Sequence, residues 1–227
     1  MLVKVRSMKL QPNFILLAVV LLFSAPATPM NFTPTVNKSL NFTVYRNSSP
    51  IGHHRFDFRP KGEFLEVEID VDLEIKVTFI TVFKFTHVAS ETWENGRLVR
   101  MNSETDDDGD IYKLAVQQTN KGMLVKVNGE EHWAPTDILP SNLWNRAILK
   151  EDKILHPILG RVLPLTVTKL GLRAVEVPGN ATVKAEGFKI DGGIEFQREL
   201  WYGPDGRLVE VGFNAPQDGS RITYRLN

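Results

Sequence analysis

Residues 64–85 read FLEVEIDVDLEIKVTFITVFKF, and their alternation decides the fold. Leu65, Val67, Ile69, Val71, Leu73, Ile75, Val77 and Phe79 are apolar, while Glu66, Glu68, Asp70, Asp72, Glu74, Lys76 and Thr78 stand between them. A period of two sends the two sets to opposite faces of a β-strand, one buried and one wet. A helix would scatter the same apolar residues around its whole circumference. The stretch predicts one long strand, or two joined by a bend. Beyond Thr78 the residues Phe79, Ile80, Val82, Phe83 and Phe85 make both faces apolar, which predicts passage into a region covered on both sides.

Turn signals spread outward from this stretch at hairpin spacing. Asn95-Gly96 splits the run from Trp93 to Met101, and such a pair readily takes the positive φ angles of a two-residue hairpin. Asp107-Asp108-Gly109, Asn120-Lys121-Gly122, Asn128-Gly129, Pro178-Gly179-Asn180, Asp191-Gly192-Gly193, Pro204-Asp205-Gly206 and Gln217-Asp218-Gly219 repeat the signal. Short β-branched and aromatic runs lie between them, so residues 40–227 read as one meander of antiparallel strands. Residues 137–150, DILPSNLWNRAILK, are the exception and predict a helix with Ser141 as its N-cap. A proline-rich apolar stretch follows through Leu163. One echo recurs: Glu91-Thr-Trp93 with Gly96-Arg97-Leu98-Val99 resembles Glu199-Leu-Trp201 with Gly206-Arg207-Leu208-Val209. It reads either as two similar hairpins or as a duplication.

The beginning of the chain carries a different signal. Lys4, Arg6 and Lys9 precede the apolar run Phe14 to Phe23, and Ala25 and Ala27 then give the small-x-small pattern of a cleavage site. These three parts in order predict a secretory signal peptide over residues 1–27 and export to the periplasm. The alternative, an uncleaved anchor, needs about 20 apolar residues to cross the bilayer, so no membrane span is expected in the mature form. Residues 28–39 read as a flexible leader. The whole chain holds 27 basic and 27 acidic residues; removing the three early bases leaves a net charge of −3. That balance does not draw in a polyanion, and nucleic acid is not an expected partner. The absence of cysteine excludes disulfides, thiolate metal sites, a cysteine nucleophile and a lipidated cysteine.

Motifs for chemistry are sparse. The run Asp106-Asp107-Asp108-Gly109-Asp110 resembles the start of a calcium loop beginning at Glu104, but its twelfth position is Ala115 where a glutamate belongs. A solvated hairpin tip accounts for it. His53 and His54 are adjacent and, on a strand, point to opposite faces, so they do not jointly grip a metal. No Gly-x-Ser-x-Gly elbow, His-Glu-x-x-His or phosphate loop occurs, and neither catalytic residues nor a cofactor is expected. Sequons begin at Asn31, Asn37, Asn41, Asn47 and Asn180. The aromatic load is the more informative feature. Phe79, Phe83, Phe85, Trp93, Trp144 and Trp201 either fill a core or line the concave side of a curved sheet that holds an apolar ligand. In the second case residues 137–160 would plug or cap that side.

Pro50-Ile-Gly52-His-His-Arg55-Phe56, Phe79 to Phe85, Glu91-x-Trp93-x-x-Gly96-Arg-Leu98, Thr105-Asp106-Asp107, Leu139-Pro140-Ser141 with Trp144-Asn145, and Leu200-Trp201-Tyr202 ahead of Asp205-Gly206 form an ordered series. Over roughly residues 42–227 the series resembles a family of exported proteins of Gram-negative bacteria, domain of unknown function 6134. The resemblance implies a strand-rich domain and supplies no catalytic residues. By fold analogy it is similar to half-open β-barrel carriers of lipids and lipoproteins in the envelope.

The expected architecture is therefore mainly all-β: a curved antiparallel meander sheet or half-open β-barrel with one short helix, preceded by a signal peptide. The expected function is that of a periplasmic, non-enzymatic protein that binds an apolar or amphipathic envelope component, a lipid or lipoprotein. Two rivals remain: a structural or protein-interaction module pairing through a sheet edge, and a hydrolase-like enzyme assembled from His53 or His54, His87, Asp106 and Ser141.

Overall fold

The computed structural model describes residues 39–194 and 196–227. The signal peptide expected over residues 1–27, with Ala25 and Ala27, and the leader expected after it up to residue 38 lie outside the described residues. From Ser39 onward the chain runs through eight successive hairpin-linked strands: β1 (Ser39–Arg46), β2 (Ser49–Lys61), β3 (Phe64–Val77), β4 (Ile80–Glu94), β5 (Arg97–Asp107), β6 (Asp110–Thr119), β7 (Gly122–Val127) and β8 (Glu130–Ala134). A connecting stretch carries the short pair β9 (Lys153–Leu155) and β10 (Val162–Pro164). A second meander follows with β11 (Thr166–Val177), β12 (Ala181–Asp191), β13 (Gln197–Tyr202), β14 (Leu208–Asn214) and β15 (Arg221–Leu226). The tight turns use the residues that tolerate positive φ: Asn95 with Gly96, Asp108 with Gly109, and Asn128 with Gly129.

The two meanders form one curved antiparallel sheet of 13 strands, ordered β11-β12-β13-β14-β15-β1-β2-β3-β4-β5-β6-β7-β8, that does not close. Its middle seam joins the two ends of the described chain. β1 pairs with β15 with Phe42 opposite Leu226, and the Asn227 amide donates to the Asn41 carbonyl at 2.8 Å. The chain leaves the sheet at one edge, β8, and re-enters at the other, β11. The connection between them, residues 135–165, crosses the concave side and fills part of it, burying Ile138, Leu139, Leu143, Trp144, Ile148, Ile154 and Leu155. Opposite this plug the inner faces supply Phe56, Phe58, Val67, Ile69, Met101, Val116, Val125 and Leu200. At about 1.5–3 kcal/mol for each large side chain buried, this is the principal favourable term of the fold.

Two expectations are corrected here. The helix over residues 137–150 is a single 3-10 turn, Arg146–Lys150, capped by Asn145 and not by Ser141. Leu143 takes φ +64, which no right-handed helix contains, and the plug needs an irregular chain because it buries apolar residues in several directions. The second correction concerns residues past Thr78. They are not covered on both sides; β3 reverses into β4 at Thr78-Phe79. Pairing with β2 ends at Leu73 and pairing of β4 with β5 ends at Phe85, so residues 74–84 project as a two-stranded ribbon. Phe79 at its tip is 93% exposed, and Val77, Ile80 and Val82 are exposed with it.

Candidate functional site

The six aromatics singled out by sequence are distributed over four places. Phe79 stands on the ribbon tip. Phe83 and Phe85, paired with Ile75 and Leu73, share the inner face near the ribbon base and are half-buried. Trp93 and Trp144 meet in the core, ring centres 5.4 Å apart at 79°, and Phe58 lies 5.2 Å from Trp144. Trp201 is on the outer face. Its ring lies against Gly187, where a Cβ would come within 2.5 Å of it, and the Arg173 guanidinium sits 3.9 Å above it. The echo in the sequence explains this parting of the two tryptophans. In β4–β5 Trp93 is opposite Leu98, whereas in β13–β14 it is Tyr202 that is opposite Leu208. The second hairpin is shifted by one residue, and a one-residue shift turns the tryptophan to the other side of the sheet.

At the plugged end the inner row continues from His87 through Ala89 and Glu91 to Trp93. Glu91 is fully buried, and among the described residues no cation pairs with it. Its carboxylate accepts from Trp93 Nε1 at 2.9 Å, from Asn142 Nδ2 at 2.9 and 3.2 Å, and from Trp144 Nε1 at 3.4 Å. Burial outweighs these donors and pushes its pKa up to about 7. Asn142 and Trp144 belong to the plug, so Glu91 ties the plug to the sheet. Arg146 makes a second tie: it pairs with Glu186 and lies 5.3 Å from the ring centres of both Phe188 and Tyr202. A third runs from the Tyr202 hydroxyl to the Leu143 carbonyl at 2.9 Å.

The other end of the concave face is built from β2, β4 and β13–β15. His54 and His87 occupy one inner row, each opposite Val71. His54 stacks on Phe56 at 4.3 Å and meets the Tyr224 ring edge-on at 5.5 Å. Both its ring nitrogens are shut off from solvent and have no hydrogen-bond partner among the described residues. Burial first, then the neighbouring His87 and His53, brings its pKa down to about 3, so the ring is neutral. His87 Nδ1 shares a 2.8 Å hydrogen bond with Thr105 Oγ1, and burial lowers its pKa to about 4. Beyond Tyr224 lie Phe213, at 6.1 Å, and then Arg198. The Arg198 guanidinium lies 3.7 Å from the Phe213 ring centre and 5.0 Å from that of Phe196; its Nη1 donates to the Gln197 carbonyl at 2.8 Å. Among the described residues no carboxylate pairs with it. Burial lowers its pKa, yet a guanidinium stays charged.

The remaining sequence candidates do not join this group. His53 is on the outer face, 2.5 Å from Asp70. Asp106 accepts from the Gly109 amide in the β5–β6 turn, and Ser141 is buried in the plug with its amide bonded to the Leu155 carbonyl. Among the described residues no group of three or more His, Asp or Glu converges on a metal position. An outer-face depression of about 530 Å3 crosses β2 to β5. Its acids Asp57, Glu68, Asp70 and Glu104 each meet a basic side chain, so it reads as a solvated face. Sequence reading passed over Glu91, Arg198 and Tyr224. The signal for the first two was a charged residue at an inward position of an otherwise apolar alternation: His87, Ala89, Glu91, Trp93, and Arg198, Leu200.

The sequence pattern of the family described as Domain of unknown function (DUF6134) matches residues 42–227. Among solved structures, the β-barrel-like protein of domain of unknown function DUF1849 from Brucella abortus superposes with a TM-score of 0.61. The superposition covers 86% of this chain and 97% of that one at 10% identity, a likeness of fold. No curated protein matches the chain.

Proposed function

This chain belongs to the DUF6134 family, and on that footing we propose that it is an exported periplasmic protein, non-enzymatic, that binds or carries an apolar or amphipathic component of the envelope. One observation carries the reading. The plug reaches across the concave face as far as Phe196, on which its His156 packs at 6.4 Å; beyond it, half-buried Leu73, Ile75, Phe83, Phe85, Phe213 and Tyr224 form an apolar floor. That floor runs on without a polar break to exposed Val77, Phe79, Ile80 and Val82. Exposed apolar surface concentrated in one place marks a binding site more often than a tolerated defect. The periplasmic location rests on the basic, apolar and small-residue order of residues 1–27. Protein purified from the periplasm and examined by native mass spectrometry is expected to carry an extractable amphipath. Bare polypeptide in every preparation, with no uptake of added detergent monomer, would remove the reading.

A second reading has its own observation. β11, an edge strand of 12 residues, is hydrogen-bonded among the described residues on one side only, to β12, and exposes Leu170 and Leu172. A long exposed edge can add a strand from a partner, which fits a structural or protein-interaction module. Under that reading Leu172→Pro abolishes a complex with another envelope protein and leaves amphipath content unchanged.

A further inference from the structure

The two inward arginines of the concave face set up a comparison. Arg146 stacks over aromatic rings and is completed by Glu186. Arg198 also stacks over aromatic rings, but among the described residues it meets the Gln197 carbonyl and no acid. Arg198 is half-buried, and a guanidinium has five N–H donors to place. Stacking satisfies the faces of the group and leaves its edge donors open. Next in line, the Tyr224 ring lies 6.1 Å from that of Phe213, on which Arg198 stacks, and His54 lies beyond it with both nitrogens unmet. The neutral imidazole has one donor and one acceptor to offer, and the phenol one of each.

We infer that Arg198, Tyr224 and His54 form a head-group site that takes the anionic oxygens of a single-chain amphipath, a carboxylate or a phosphate monoester. This rests on the binding function proposed above and names the chemistry of its ligand. Arg198 supplies the counter-charge in a fork that matches two oxygens at once. Tyr224 and His54 supply hydrogen bonds that carry no charge, so the site holds one anionic head without excess positive charge. Of the inward acids, Glu186 on the neighbouring strand β12 is taken by Arg146, and Asp107 lies opposite Phe85 at the ribbon base, on the far side of His54 from Arg198. The hydrocarbon tail then has one continuous apolar course, over Leu73 and Phe85 toward Phe83 and the ribbon.

The test compares three twelve-carbon probes below their micelle concentrations: dodecanoate, dodecyl phosphate and uncharged monododecanoylglycerol. Each is titrated into the processed protein and followed by calorimetry. The expected result is binding of one or both anions at least about tenfold tighter than the uncharged probe, the size expected of one charge-assisted pair. The tighter anion identifies the head chemistry. Arg198→Met is expected to erase that preference and leave the uncharged affinity unchanged, an outcome that general loosening of the fold would not give; Arg198→Lys keeps part of it. Equal affinity for all three probes in the unaltered protein overturns the head-group site, whatever the variants do, and leaves the carrier reading standing. Failure of all three to bind overturns both.

Discussion

The two ends of one concave surface solve the same problem differently. At the plugged end, charged groups have been taken out of water and met from within: the Glu91 carboxyl by Trp93, Asn142 and Trp144, and Arg146 by Glu186. At the open end the His54 ring nitrogens are equally withdrawn and unmet, and half-buried Arg198 has no carboxylate partner among the described residues. The contrast teaches that burial of polar groups is not by itself a mark of function. A satisfied buried charge locks one part of the chain to another; Ser141 Oγ and Asn142 Oδ1 lie unmet inside the plug itself, so an unmet group points to something from outside only where it borders the open floor, as His54 does.

Four measurements break or sharpen that contrast. The largest effect belongs to the plug. Trp144→Ala removes a side chain packed on Trp93 and Phe58 and is expected to cost about 3–5 kcal/mol in guanidinium denaturation. Anion preference at the open end should persist; if it vanishes with the plug, the two ends are not separate devices.

Glu91 comes next. Its pKa is raised from 4.5 unfolded to about 7 folded, so its contribution is complete below pH 4.5 and is lost as pH rises through 7. Glu91→Gln keeps the neutral shape at every pH. It is expected to match the parent at pH 4 and exceed its stability at pH 8 by about 3 kcal/mol. A parallel pH profile for the two proteins would show that the carboxyl is ionised and balanced within the fold.

His54 runs the opposite way. With a pKa of 6.5 unfolded and about 3 folded, its neutral form is favoured, and stability present above pH 6.5 is lost as pH falls toward 3. His54→Phe should flatten that acid limb, removing about 2–3 kcal/mol of the decline between pH 6.5 and pH 4.5, read from thermal melts. An unchanged acid limb would assign the decline to His87, whose folded pKa is about 4.

The smallest effect is in the ribbon. Thr78 is β-branched and sits at φ +59, a conformation that costs a branched residue about 1–2 kcal/mol. Thr78→Gly is expected to stabilise the protein by about 1 kcal/mol, after glycine's greater freedom in the unfolded chain is offset. A loss of stability would mean the threonine side chain holds the ribbon in place.

Much of the sheet was legible because strand and turn signals are local. The alternation from Leu65 and the Asn-Gly and Asp-Gly pairs act over two to four residues, and β3 to β8 follow them closely. The opposed directions of His53 and His54 were legible for the same reason. The candidate site was less so. Which of the two histidines points inward depends on which face the plug covers. Trp93 and Trp201 look alike in sequence and part company through one residue of register. The ribbon's apolar residues were read as doubly covered because a run that is apolar on both faces signals cover only when neighbouring strands reach it, and β2 and β5 stop short. The plug was read as helical because its apolar spacing suits a helix, yet no single face of it is exposed.

By itself the sequence determined that this protein is a meander of antiparallel strands, with an inner and an outer set of side chains in each. Backbone alternation and turn chemistry need no distant partner. The tertiary structure alone decided that β1 meets β15 at the seam, that the edge-to-edge connection must cross and fill one end of the concavity, and that His54, Tyr224 and Arg198 lie in a row at the other. Those outcomes depend on pairings between residues at opposite ends of the described chain, such as Phe42 with Leu226, and on which surfaces are left when all strands have found their neighbours.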